Sequence, residues 1–252
     1  DLGNNGLGFL TNQEDALAIK NIFGATNFSF SPNNSLDITG FAIYNSSRIE
    51  SKERTFKQYS DSDLGIPNEL TEEATEERST QGLLKLSASY KPNFNNQVDY
   101  DVLGRLSNDK QNQNVVSSVI GNTDQTEETT PFSLNQNLNY YFTLDESSIF
   151  ALEAQHLLSD EDPFYNAILD DKENYGATAE SLGLNSDQLN YNLAQDRRIK
   201  SNQLDAKIDY YYIINPKSNI NLTFGTIFSN QKFKSNLFQF LDDGSTFSPA
   251  PN

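Results

Sequence analysis

Apolar and polar residues alternate one by one over long stretches of this chain, and the alternating stretches come in pairs around short turns. Leu204, Ala206, Ile208, Tyr210, Tyr212 and Ile214 fall on one face of an extended segment, while Asp205, Lys207 and Asp209 fall on the other. Beyond the turn at Asn215-Pro216-Lys217-Ser218-Asn219, Ile220, Leu222, Phe224 and Phe228 oppose Asn219, Asn221 and Thr223. Leu84, Leu86, Ala88 and Tyr90 stand against Lys85, Ser87 and Ser89, and across the 91–96 turn Val98, Tyr100, Val102, Gly104 and Leu106 stand against Asp99, Asp101 and Arg105. A third hairpin, turning at 144–148, sets Leu134, Leu138, Tyr140, Phe142, Phe150, Leu152 and Ala154 against Asn135, Asn137, Asn139, Glu153 and Gln155. The first, turning at 31–35, is noisier: Leu36, Ile38, Gly40, Ala42 and Tyr44 share a face, with Phe41 and Ile43 opposite. A period of two belongs to strands and excludes a helical bundle for these segments. Eight strands are predicted, at 24–31, 35–57, 80–91, 97–118, 133–144, 148–159, 189–214 and 218–240.

Between the tight turns lie polar, acid-rich stretches centred near residues 68, 125 and 175, so short and long connections alternate. An up-and-down antiparallel sheet with one flush and one ragged end follows, which is how outer-membrane barrels are built. The expected fold is all-β: an antiparallel up-and-down transmembrane β-barrel spanning 24–241, with an N-terminal segment at 1–23 and a loop or truncated end at 242–252. Ile208, Phe224, Tyr140 and Leu86 are expected to face lipid. Asp99, Asp101, Arg105, Glu153, Gln155, Asp205, Lys207 and Asp209 are expected to face the lumen. Eight strands close only a small, side-chain-filled barrel, and several arms exceed the 9–11 residues that cross a bilayer, so these strands read as part of a larger barrel.

Composition adjusts this picture. The chain of 252 residues carries a formal charge of −17 and a mean hydropathy of −0.63. Low hydropathy ordinarily argues for a soluble or disordered chain, but a barrel strand is only half apolar and its loops are polar. No apolar run reaches the length of a spanning helix. The 17 Phe and 12 Tyr suit interfacial girdles. With no cysteine, disulfides and thiolate metal sites are excluded, as suits an oxidising envelope. Without methionine or a signal-peptide pattern, the chain reads as processed or partial.

Acidic loops repel nucleic acid, so no nucleic-acid partner is expected. Their natural complement is a hard cation, and Ca2+ is the ion considered for Asp160, Glu161 and Asp162 and for Asp242-Asp243-Gly244. Neither run matches the D-x-[DN]-x-[DN]-G pattern, and a solvated loop is the simpler reading of both. A single imidazole, His156, removes multi-histidine zinc chemistry, and no phosphate loop or nucleophile elbow is present; no catalytic residue and no enzyme activity are expected. The 160–187 stretch holds enough apolar surface to pack as a lid, with a short helix expected over 177–184 capped by Thr178, and with Phe164, Tyr165 and Tyr175 as candidate contacts.

The segments 36–44, 149–156, 161–167 and 204–212 resemble barrel strands of Bacteroidetes TonB-dependent-receptor-like proteins, the kind that carry a carboxypeptidase-regulatory-like domain. The resemblance runs from about residue 24 to 241 and is one of strand phrasing. It implies a location in the bacterial outer membrane, contact with outer-membrane lipid, and transport of a nutrient or ligand by the parent protein. It also implies a surface lipoprotein or other outer-membrane complex subunits as partners, and TonB where a TonB box precedes the barrel. Two other readings stand beside it: a non-transporting scaffold subunit of an outer-membrane complex, and a soluble secreted adhesin-like all-β domain.

Overall fold

A computed structural model describes residues 16–58 and 67–249. Its architecture is one antiparallel all-β sheet of up-and-down order, with a single short helix. The strands are β1 (Ala16–Asn33), β2 (Leu36–Lys57), β3 (Glu69–Asn93), β4 (Asn96–Ser117), β5 (Gly121–Thr129), β6 (Phe132–Thr143), β7 (Ser148–Glu161), β8 (Phe164–Leu169), β9 (Tyr191–Asn215), β10 (Ser218–Phe240) and β11 (Thr246–Phe247). The helix, α1 (Lys172–Ser181), lies between β8 and β9.

Eleven strands stand among the described residues where eight were expected, the additions being β5, β8 and the two-residue β11, and two prolines bound the first two of these. Each proline lacks the N–H that a ladder needs. Pro131 divides β5 from β6 and Pro163 divides β7 from β8, yet their carbonyls still accept from Ser107 N and Arg197 N at 3.0 Å each, so the sheet runs on past both breaks. The two breaks are tied together: Asp162 accepts from Thr130 N and Thr130 Oγ1, both at 2.6 Å. On one side of this line β4 pairs with β6 and β6 with β7; on the other, β4 pairs with β5, β5 with β8 and β8 with β9.

The expectation of a long loop centred near 125 is overturned. The connection is a tight turn at 118–120, its Gly121 at φ 74°, and β5 occupies the predicted loop. β3 begins at Glu69 and not near 80, and β1 begins at Ala16, so residues 16–23 are strand. The remainder of the N-terminal segment 1–23, most of the loop near 68, and residues 250–252 lie outside the described residues. The errors on β3 and β5 share a cause: the stretches Glu69–Ser79 and Gly121–Thr129 carry almost no apolar residues, so hydrophobic alternation is silent there while cross-strand pairing continues.

Apart from bulged positions near strand ends, cross-strand partners share parity from β1 to β10, so even-numbered residues make one face and odd-numbered residues the other. The even face carries a continuous apolar band. One of its rows runs Leu36, Tyr90, Val98, Tyr140, Leu152, Ile208, Phe224. Phe142, Phe150, Tyr210 and Tyr212 stack in series at its turn-proximal edge, neighbouring centroids lying 4.7–6.5 Å apart. The band climbs across the sheet. Its last apolar pair is Leu204 and Phe228 on β9 and β10, but Leu106 and Phe132 two positions further along on β4 and β6.

No apolar core lies beneath this band. Among the described residues the buried apolar side chains are Ala151, Ala179, Tyr191 and Ala194, and the largest wholly buried side chain is Gln239. Leu84, Leu86, Leu204 and Ile208 are exposed, whereas Lys85, Ser87, Gln203 and Asp205 are half-buried. The neighbours Ile208 and Asp209 show the inversion most sharply, at 51% and 3% exposed. On its inner strands the sheet therefore shields its polar face and presents its apolar one, whereas β1 and most of β10, at the edges, are exposed on both faces. Among the described residues the long edge strands, β1 and β10, pair along their length with β2 and β9 alone, the short β11 covering only Gln239 and Phe240 of β10, and neither edge pairs with the other.

Candidate functional site on the polar face

Strand register brings the odd-numbered polar residues together. Ser89, Asp99, Asn139, Glu153 and Lys207 form one row across five strands, and Ser87, Asp101, Asn137, Gln155 and Asp205 form the next. Asp209 lies one position from Lys207 on the same face, and Arg105 lies opposite Leu83 and Ser133, nearer the loop end. All eight polar residues singled out from the sequence thus share one face, the shielded one. Successive residues of a strand point to opposite sides, which is why parity decides the outcome.

Ionic hydrogen bonds organise the charges. Ser89 Oγ donates to Asp99 Oδ1 at 2.6 Å, Ser87 Oγ donates to Asp101, and Lys85 Nζ stands 3.7 Å from Asp101. Lys207 Nζ lies between Glu153 at 3.0 Å and Asp209 at 3.5 Å, and Thr223 Oγ1 donates to Asp209. Gln203 donates to Asp205 Oδ2 at 3.1 Å, leaving the buried Asp205 Oδ1 without a protein partner. A recess of about 870 Å³ opens over this lattice, lined by Asp101, Asn139, Glu153, Asp205, Lys207 and Thr223 among others. Its chemistry is that of a polar, acid-weighted trough, rich in acceptors, with a cation at its centre.

Beside the trough the same face changes character. Ile43 lies directly opposite Leu83, and Phe41 and Leu103, each opposite Lys85, stand diagonal to that pair across β2, β3 and β4. A row further on, Asn45 and Ser107 are buried, and Asn45 Oδ1 and Ser107 Oγ have no protein hydrogen-bond partner. The sequence marked Phe41 and Ile43 only as breaks in alternation. Their grouping becomes visible through cross-strand register.

The acidic candidates for a cation do not converge. Asp160 and Glu161 point to opposite faces, and Asp160 is held by Arg198, with bonds of 3.0 and 2.8 Å, and by Lys200 at 3.1 Å. Asp162 is taken by Thr130. Asp242 accepts from Leu189 N and Asp243 from Ser245. No group of three or more His, Asp or Glu side chains placed to hold a metal occurs among the described residues. Beyond the apolar band, the Arg198 and Lys200 cations hold the Asp160 carboxyl down at about 2.

Of the candidate loop contacts, Phe164 and Tyr165 belong to β8, and Tyr175 to α1. Burial, reinforced by the Glu127 carboxylate, pushes the Tyr165 phenol up. The helix starts and ends earlier than expected because Asp171, and not Thr178, is its cap, accepting from Asn174 N at 3.0 Å. It closes in a Schellman turn: Gly183 has φ 67°, and Leu184 N donates to Ala179 O at 2.9 Å. Residues 170–190 are fastened to the sheet. Asn174 donates to Val119 O, and Gln239 exchanges bonds of 2.8 and 2.9 Å with the Asn185 backbone. Lys172 Nζ reaches the carbonyls of Ser186 and Gln188 and lies over the Tyr191 ring. His156 sits on the even face, between Gln136 at 3.2 Å and Asn202 at 3.0 Å.

Fold and face together define an all-β antiparallel sheet of up-and-down order with an apolar outer face and a polar shielded one. No protein-family model matches the chain, and no curated protein sequence matches it.

Proposed function

We propose that these strands form a stretch of wall of a bacterial outer-membrane β-barrel of the kind TonB-dependent receptors possess, and that the polar trough lines the path of a ligand through it. The carrying observation is the inverted burial: a single-layer sheet without an apolar core, whose exposed face is a continuous apolar band. In water such a sheet forfeits the burial that stabilises a fold, roughly 1.5–3 kcal/mol for each large apolar side chain. Hydrocarbon supplies it, and closure by further strands would satisfy the β1 and β10 edges, as lipid requires. The charged lengths of β2, β3, β4, β9 and β10 beyond the band would stand outside the bilayer as a tall wall.

Folding into detergent micelles or lipid vesicles, with heat-dependent gel mobility, is the expected behaviour of the purified chain. A folded, monodisperse chain in plain buffer would favour a soluble secreted domain instead. To separate transport from a scaffold role, Asp101, Asp205 and Lys207 are replaced together by alanine. Altered ligand flux with unchanged insertion supports the trough as a path; unchanged flux supports a scaffold.

A further inference from the structure

In a chain this acidic, cations are unevenly placed. On the even face, Lys20, Arg48, Arg78 and Lys110 are direct cross-strand neighbours on β1 to β4. Arg198 and Lys200 of β9 face Lys234 and Lys232 of β10 in the same way. All eight follow the climbing upper edge of the apolar band. Lys200 and Lys232 come four residues beyond Leu204 and Phe228, as Arg48 and Lys110 come four residues beyond Tyr44 and Leu106.

The two groups differ in their partners. Arg48 and Arg78 pair with Glu76, and Lys110 with Glu128. On β9 and β10 one carboxylate, Asp160, serves both Arg198 and Lys200, and Lys232 and Lys234 have no ion pair among the described residues. Like charges directly opposite each other on a sheet are destabilising. The backbone positions of the four cations form a rectangle with sides of roughly 5 and 7 Å, set by strand spacing and the two-residue repeat, close enough for the long side chains to converge on a phosphate group.

Resting on the membrane reading above, in which the tight turns lie on the periplasmic side and the long arms outside, we propose that Arg198, Lys200, Lys232 and Lys234 form a binding site for the phosphorylated headgroup of an outer-leaflet lipid. The band beneath takes the acyl chains, and the cations stand where the phosphates of that lipid begin. Long Lys and Arg stems lie along the apolar surface while their heads reach the interface. Anionic headgroups draw such cations strongly, and Arg offers a planar fork for phosphate oxygens.

The test uses the purified full chain, first folded into vesicles of zwitterionic lipid, with insertion scored by heat-dependent mobility. Phosphorylated glycolipid is then added, and the lipid phosphorus retained after washing is measured. The proposal expects retention by the wild type and a loss of roughly tenfold or more in Lys232→Gln combined with Lys234→Gln. Asp160→Asn should raise retention, since it removes the carboxylate that competes for Arg198 and Lys200. Failure to insert would remove the membrane reading and this site with it. Normal insertion with equal retention by the double variant and wild type would overturn the site alone. Equal retention of dephosphorylated glycolipid, or displacement by inorganic phosphate at equal concentration, would overturn the assignment to a lipid headgroup.

Discussion

Parity is decided residue by residue, so single substitutions test it. Leu86 is exposed on the apolar face, and Ser87, next to it, donates to Asp101 on the polar face. In lipid vesicles, Leu86→Arg should cost about 2–4 kcal/mol of folding free energy in a denaturant titration, and Ser87→Arg far less. Equal costs would contradict the face assignment. Gly40 tests close approach: a Cβ there would meet Lys85 O at 2.8 Å and Phe28 at 2.7 Å, and the backbone oxygen cannot step aside. Gly40→Val should destabilise by about 1–3 kcal/mol, whereas Gly82→Val, where a Cβ meets nothing within 4 Å, should cost less in the same titration. Asp160 supplies a pH signature. Its carboxyl is held at about 2, below the ordinary 3.8, so the stability it contributes is fully present above pH 3.8 and is lost as pH falls through 2. The stability difference between wild type and Asp160→Asn should therefore be constant above about pH 4 and shrink below it. It should also be small, because the pair is partly exposed.

At the scale of elements, β2, β4, β9 and β10 were legible in the sequence over nearly their whole length, whereas the first part of β1, the polar start of β3 and all of β5 were not. The tight turns at 33–36, 93–96, 144–148 and 215–218 were placed correctly, because alternation runs right up to them. β5 was read as loop because Asn122, Thr123, Asp124, Gln125, Thr126, Glu127 and Glu128 give no hydrophobic period; what makes this stretch a strand is its pairing with β4 and β8. The same holds for Glu69–Ser79. That the eight polar residues share one face was legible, since all but Gln155 sit between non-polar neighbours. The apolar cluster around Phe41 and the cation rectangle were not, because both depend on register between strands. β8 also changes what can be removed from the 160–187 stretch. Phe164–Leu169 is flanked by β5 and β9, so deleting it should disrupt folding, whereas replacing 172–188 with a short flexible linker should leave strand pairing intact. Heat-dependent mobility of the two deletions distinguishes these outcomes. Because residues 170–190 are fastened by Asn174, Asn185 and Lys172, the linker variant should lose capture of any partner that docks on this end while still inserting.

At the scale of the whole molecule, the described residues form one sheet whose inner strands present an apolar face and shield a polar one, and the proposed function depends on that inversion holding in a bilayer. The chain contains no cysteine, so single cysteines introduced along 203–210 of β9 can each carry a spin label without interference. In vesicles, accessibility to oxygen, which concentrates in lipid, is compared with accessibility to a water-soluble paramagnetic reagent. A strict two-residue alternation is expected: labels at 204, 206, 208 and 210 collide with oxygen, and labels at 203, 205, 207 and 209 collide with the aqueous reagent. Uniform aqueous accessibility, or alternation of the opposite phase, would contradict it.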